Sequence, residues 1–287
     1  MPIEGEEFTR RLLTPLQENK LTMLLRQGAD VDLILRLVAS ELRLYDGVQS
    51  GVYLNKPRDA KGYQLFRQAV LHLSSIQDKN NLFVEPLIFD QHWVLPAESL
   101  LVEQMATLQK EYRIEYQVER KQIMLSKRVI GRIFLTNYDP ASLSNEERIR
   151  LQEEADQGAD NDVSVDIRSG YPGGEWPIHG GFRLRSFHNV LNFIGQSISD
   201  DPEYAVAKHP QTPSVSENPA YTMGLLVSDD ESAASDISVR FGDWDYALKP
   251  EIGYQWNREG FRLLCQIFQM TMTDLARQGA PAITISK

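Results

Sequence analysis

Apolar positions in residues 6–44 recur at helical spacing. Leu12, Leu13 and Leu16 lead to Leu21, Leu24 and Leu25, with Pro15 ending the first element. Gly28 is a natural helix stop, and Asp30 can cap the helix that follows. That helix carries Val31, Leu33, Ile34, Leu35, Leu37 and Val38, apolar nearly all round, which predicts burial. A turn at 55–59 precedes a helix predicted over 62–77. The run 82–89 reads as a strand that Pro86 confines to a sheet edge. Pro96 opens a further helix over 99–110.

The period then changes. Ile114, Tyr116 and Val118 alternate with Glu115, Gln117 and Glu119, and similar runs continue to Leu135. This predicts two or three antiparallel strands with one wet face over 112–136. Ser142 or Ser144 then caps a charged helix. The following stretch, Gln157 to Asp162, reads as a loop.

Val163, Val165 and Ile167 share one strand face. Phe182 to Arg185 forms a short strand, and Ser186 caps a helix from Phe187 to Ile198. A second polar loop runs from Asp200 to Pro219, and 223–227 reads as a strand. Ile237 to Leu248 reads as a hairpin turning at Gly242-Asp243, with Trp244, Tyr246 and Leu248 on one face. The last helix is predicted over 258–277, capped by Asn257, with Phe261, Leu264, Phe268, Met272 and Leu275 inward. Residues 281–287 look like a closing strand.

The fold class expected is α+β. A helical N-terminal half with a small antiparallel sheet spans 1–141, and an acidic helix and linker spans 142–162. A mostly antiparallel lobe closed by the long last helix spans 163–287, and a core shared by the two lobes is left open.

Composition narrows the function classes. The 287 residues are 42% hydrophobic and 24% charged, enough to bury a sizeable core. A net charge of −10 argues against a general nucleic-acid binder. The one basic patch, Arg120, Lys121, Lys127 and Arg128, is short and flanked by Glu115 and Glu119. The single cysteine, Cys265, excludes an internal disulfide, and its apolar neighbours predict a small buried hydrophobe. No stretch reaches the length of a membrane span. With no apolar leader after Met1, the chain as written is expected in the cytoplasm.

The densest special chemistry lies in 170–195. Within it, Glu175, His179, Arg183, Arg185 and His188 are the candidate ligand-binding residues. His179 and His188 lack the close pairing that zinc sites use, so no metal is expected, and no cofactor motif occurs. Neither a nucleophile elbow nor a phosphate loop is present. The glycines at 173, 174, 180 and 181 suit positive-φ turns, or else the close approach of a ligand. An anion could sit at the start of the helix capped by Ser186, helped by Arg183 and Arg185. The alternation of those two arginines equally suits the solvent face of a strand. The acidic run 146–162 lacks calcium-loop spacing and reads as a solvated linker.

Three groups of motifs carry a resemblance. They are Gly5 to Pro15 with Leu24 to Gly28 and Asp32 to Leu37; Ile178-His179-Gly180 with Leu184-Arg185-Ser186 and Ile194-Gly195; and Trp256 to Leu264 with Gln266 to Thr271. Together the chain resembles an uncharacterised family of bacterial lipoprotein-like proteins. The resemblance implies an envelope-associated, periplasmic or outer-membrane-tethered domain with a lipid anchor upstream. This chain has no lipobox cysteine. Two functions follow as expectations. The first is a non-catalytic envelope protein that binds another protein, itself or a cell-wall component. The second is a hydrolase or metal-dependent enzyme with a site near His179 and His188.

Overall fold

Helix α1 (Gly5–Leu13) is followed by α2 (Glu18–Arg26) and α3 (Val31–Val38). The computed structural model describes residues 5–45, 50–99, 105, 107–229 and 235–273. Gly28 stops α2 at φ +83°, and the Asp30 carboxylate accepts from the backbone of Asp32 and Leu33 to start α3. Every residue of α3 is buried. The helical reading of 6–44 fails at its end: β1 (Ala39–Leu44) is a strand, paired on one side with β2 (Gly51–Leu54). Ala39 to Leu44 contains good helix formers, and strand partners on both sides override that local preference.

Next come α4 (Ala60–Gln77), β3 (Phe83–Pro96), β4 (Arg113–Gln117) and β5 (Gln122–Thr136). Then follow α5 (Asn145–Ala155), β6 (Asp162–Ile167), β7 (Ile178–Leu184) and α6 (Phe187–Ser199). A capping box at Ser144 and Glu147 opens α5, and Ser186 caps α6 through the Asn189 amide. The helix predicted over 99–110 falls partly, and the closing strand at 281–287 wholly, outside the described residues.

The fold is mixed α and β. Its main sheet runs β2-β1-β7-β6-β5-β3, with β4 also on β5, and only β5 with β6 is parallel. Strand β3 lies at the edge, and its ladder slips beside Pro86, where no donor exists. Strands on both sides of residue 142 share this sheet. A separate sheet, β8 (Leu225–Ser228), β10 (Trp244–Leu248) and β9 (Ser238–Phe241), contains the hairpin, which turns at Gly242-Asp243.

One face of the main sheet is apolar. Leu42, Phe182, Leu184, Val163, Val165 and Leu135 join α3, α4 and α6 in a single core, and Phe66 of α4 meets Phe182 edge-on at 5.8 Å. At this distance Gly180 matters: a Cβ there would lie 1.9 Å from the Arg43 carbonyl, so β1 and β7 pack closely only with glycine. The opposite face is split. Beneath α5 it holds a small apolar cluster of Leu87, Phe89, Phe134, Tyr138, Leu143 and Leu151. Across β6, β7 and β1 it carries charges.

The last helix, α7 (Trp256–Met272), packs against α1, α3 and α6. Its buried stripe is Trp256, Gly260, Leu263, Ile267 and Thr271, one residue off the predicted stripe. Phe261 and Phe268 are exposed instead, Leu264 is half-buried, and Leu275 lies outside the described residues. This rotation also turns Cys265 outward, against the expectation of a buried thiol.

Candidate functional site

The alternation of β6 and β7 builds the charged face. Asp162, Ser164 and Asp166 lie opposite Arg183, Gly181 and His179 in antiparallel register. Residues two apart share a face, so each strand presents its charges in a row. Strand β1 adds Glu41 opposite Arg183. Arg183 bonds both Asp162 oxygens, at 2.9 and 3.0 Å, and reaches Glu41 at 3.8 Å. Burial pushes the Asp162 carboxyl up, but Arg183 and the Ala159 amide more than reverse this and hold it low.

His179 stands between two carboxylates. Its Nδ1 lies 3.2 Å from Asp166, and its Nε2 lies 2.7 Å from Glu154 on α5. The Asp166 bond is the main cause that raises its pKa to about 9; burial opposes this and Glu154 adds to it. The ring is therefore an imidazolium at neutral pH, donating from both nitrogens. Tyr45 meets it edge-on at 5.7 Å.

Asp166 is the hub. It also accepts the Tyr138 hydroxyl at 2.6 Å and Arg168 Nε at 2.7 Å. Burial raises its pKa, yet the bonds from His179, Tyr138 and Arg168 outweigh burial and keep it low. Arg168 continues to Glu147 at 3.3 Å and lies over the Tyr138 ring at 4.8 Å. Burial pushes the Tyr138 hydroxyl well above its ordinary range, with Asp166 adding to the effect. Each carboxylate is thus matched to a cation, and α5 is tied to the sheet through Glu147 and Glu154.

The five residues singled out in 170–195 do not converge. His179 and Arg183 lie on the charged face. Arg185 sits one residue beyond β7, buried on the helical side, so its alternation with Arg183 does not place it on a wet strand face. His188 is exposed on α6, where its Nε2 accepts from Asn192 at 3.0 Å. Glu175 is exposed in a turn. In that turn Gly173 takes φ +80°, as a positive-φ role requires, whereas the neighbouring glycines at 180 and 181 are close-approach strand positions. The turn is anchored by Trp176, which stacks on His209 at 4.0 Å and contacts the His72 ring at 5.2 Å. His72 bonds Thr212 at 3.0 Å and the Gly173 carbonyl at 2.8 Å, and burial lowers its pKa to about 4.

Asp166 and Tyr138 were not among the residues picked out by sequence, whereas Glu154 and Asp162 belong to the acidic run 146–162, which reads as a solvated linker but here supplies carboxylates to His179 and Arg183. The signal for the two aspartates was present: Asp162-Val-Ser-Val-Asp166 alternates with period two. Among the described residues no group of three or more His, Cys, Asp or Glu has the geometry to hold a metal ion.

Between α6 and the segment joining β2 to α4 a second feature opens. It is a cleft of about 360 Å³ with Arg185 in its wall. No family model matches the chain, and neither the curated proteins nor the solved structures contain a match. No relative therefore supplies a role for these residues.

Proposed function

We propose that the chain is a non-catalytic binding or structural protein of the cell envelope. The observation that carries the non-catalytic reading is the engagement of both ring nitrogens of His179 by carboxylates. A protonated imidazole with both donors committed has no lone pair to act as general base or metal ligand. His188, the other histidine of the hydrolase reading, projects from α6 on the helical side of the sheet, away from the charged face that bears His179.

The envelope placement rests on the motif resemblance. Two of its groups lie on α1 and α7, which pack together, with Arg11 Nη1 donating to the Met272 carbonyl at 2.5 Å. Among the described residues no helix is long and apolar enough to cross a membrane. In this reading attachment comes from a lipid tether upstream and the partner is a protein, a second copy or a cell-wall component. The finer architecture we propose is that α7 closes the helical layer over the apolar face of the shared sheet.

Turnover of a chromogenic ester and a phosphomonoester tests the first half of the reading. Wild type should give none above buffer. Sustained turnover that His179→Gln abolishes would establish the hydrolase reading instead. Fractionation of the native host, probed with an antibody to the chain, tests the second half. Recovery wholly in the cytosolic fraction would contradict the envelope placement.

A further inference from the structure

Arg185 is 8% exposed and has an unusual set of partners. Its Nη2 donates to the Asn55 carbonyl at 3.0 Å, and Nη1 lies 3.5 and 3.4 Å from the Arg36 and Leu37 carbonyls at the end of α3. The Phe193 ring lies 4.1 Å from its guanidinium carbon. Among the described residues no carboxylate is within ion-pair distance. The carboxylate that influences it most is Glu203, whose oxygens already accept from Tyr63, the Thr222 amide and the Thr222 hydroxyl. Helix-end carbonyls supply only partial negative charge, so most of the guanidinium charge is uncompensated. Burial lowers its pKa to about 9, which still leaves it charged at neutral pH.

That charge forms part of the wall of the cleft. Lys56 stands exposed at its edge. Asp201 also lines it, but Arg58 lies 4.0 Å from that carboxylate. The positive sign therefore prevails. Asn189, Asn192 and Gln196 project exposed amides from successive turns of α6. A volume of about 360 Å³ lies at the small end of the range for ligand pockets.

We propose that this cleft binds a small polyhydroxylated anion, a sugar acid or sugar phosphate, with its charge held between Arg185 and Lys56 and its hydroxyls met by the α6 amides. A guanidinium forks onto a carboxylate or phosphate equally well, so the two anion types share one recognition chemistry. Amides give the donor and acceptor pairs that hydroxyls need. The inference rests on the reading of the chain as a binding protein.

Isothermal titration with glucuronate, glucose 6-phosphate, inorganic phosphate and glucose tests it. Glucuronate or glucose 6-phosphate should bind, with glucose at least about tenfold weaker. Whichever of the two binds more tightly identifies the acid or the phosphate as the natural charge. Arg185 also closes the end of α3, so Arg185→Met alone could unfold the protein. Lys56→Glu and Asn189→Asp change exposed positions and should keep the fold, checked by circular dichroism, while weakening the anion by about tenfold or more. Equal affinity for glucose and glucuronate, or affinity unchanged in both variants, overturns the anion site while leaving a binding protein intact. Absence of heat for all four probes overturns the cleft as a ligand site. Hydrolysis of glucose 6-phosphate during the titration would instead overturn the non-catalytic reading.

Discussion

Replacing His179 by glutamine tests whether the charged face is held by a permanent imidazolium. The perturbation removes the cation between Asp166 and Glu154 and keeps a side chain of similar reach. In the fold the imidazole pKa stands at about 9, against an ordinary value of 6.5. At about 1.36 kcal/mol per unit, that difference corresponds to roughly 3 kcal/mol as a ceiling. His179 is 21% exposed and Glu154 37%, so solvent screening reduces the expected effect to about 1–2 kcal/mol. The sign follows from the raised pKa. The contribution is fully present below the unfolded value near 6.5 and is lost as pH rises through about 9. Urea unfolding followed by tryptophan fluorescence, run on both proteins from about pH 6 to about pH 10, measures it. The stability gap between wild type and His179→Gln should be widest at the acid end and shrink through the alkaline range. A gap that is constant or widens with pH would refute the argument, as would an NMR titration placing the His179 ring at or below its ordinary pKa.

Other consequences follow from the packing. His72 has the opposite shift, lowered by burial to about 4, so its contribution is intact above pH 6.5 and is lost as pH falls towards 4. Acid titration of unfolding free energy should therefore show a falling limb in that window, flattened in His72→Gln. In α7, Ile267→Ala should cost about 2–5 kcal/mol because the side chain is 1% exposed, whereas Phe261→Ala should cost less than about 1 kcal/mol. Equal losses from these two changes would mean that the helix is rotated from the orientation described. Arg36 and Asp32 form a fully buried pair at 2.7 Å. Arg36→Met strands the Asp32 carboxylate and should cost about 3–5 kcal/mol by urea unfolding, much of it recovered when Asp32→Asn is added.

Short-range signals were the legible part of this fold. Asp30, Ser144 and Ser186 are caps whose side chains bond the backbone two or three residues ahead, a relation fixed by local chemistry. Pro86 likewise located an edge strand, because a missing donor has the same consequence in any sheet. What failed depended on distant partners. Ala39 to Leu44 becomes a strand only because residues 51–54 and 180–184 flank it. The apolar stripe of α7 was misassigned because both Phe261 and Leu263 fit helical spacing, and only the positions of α1, α3 and α6 decide which is buried. The candidate site shows the same limit. His179 was visible as a residue, but Glu154 and Asp166 lie 25 and 13 positions before it and meet it through the packing of α5 on the sheet. Arg183 and Arg185 read as a pair, yet the strand ends between them and sends them to opposite sides.

The proposed division of labour assigns ligand binding to the Arg185 cleft and leaves the His179 network to tie α5 to the sheet. Proton–nitrogen correlation spectra of the labelled protein, recorded during titration with glucuronate and glucose 6-phosphate, test it most directly. The account predicts shifts concentrated at Ser40, Asn55, Asn189, Asn192 and Gln196, which line the cleft. Shifts concentrated instead at Glu154, Asp166 and His179, with the cleft resonances unmoved, would contradict it.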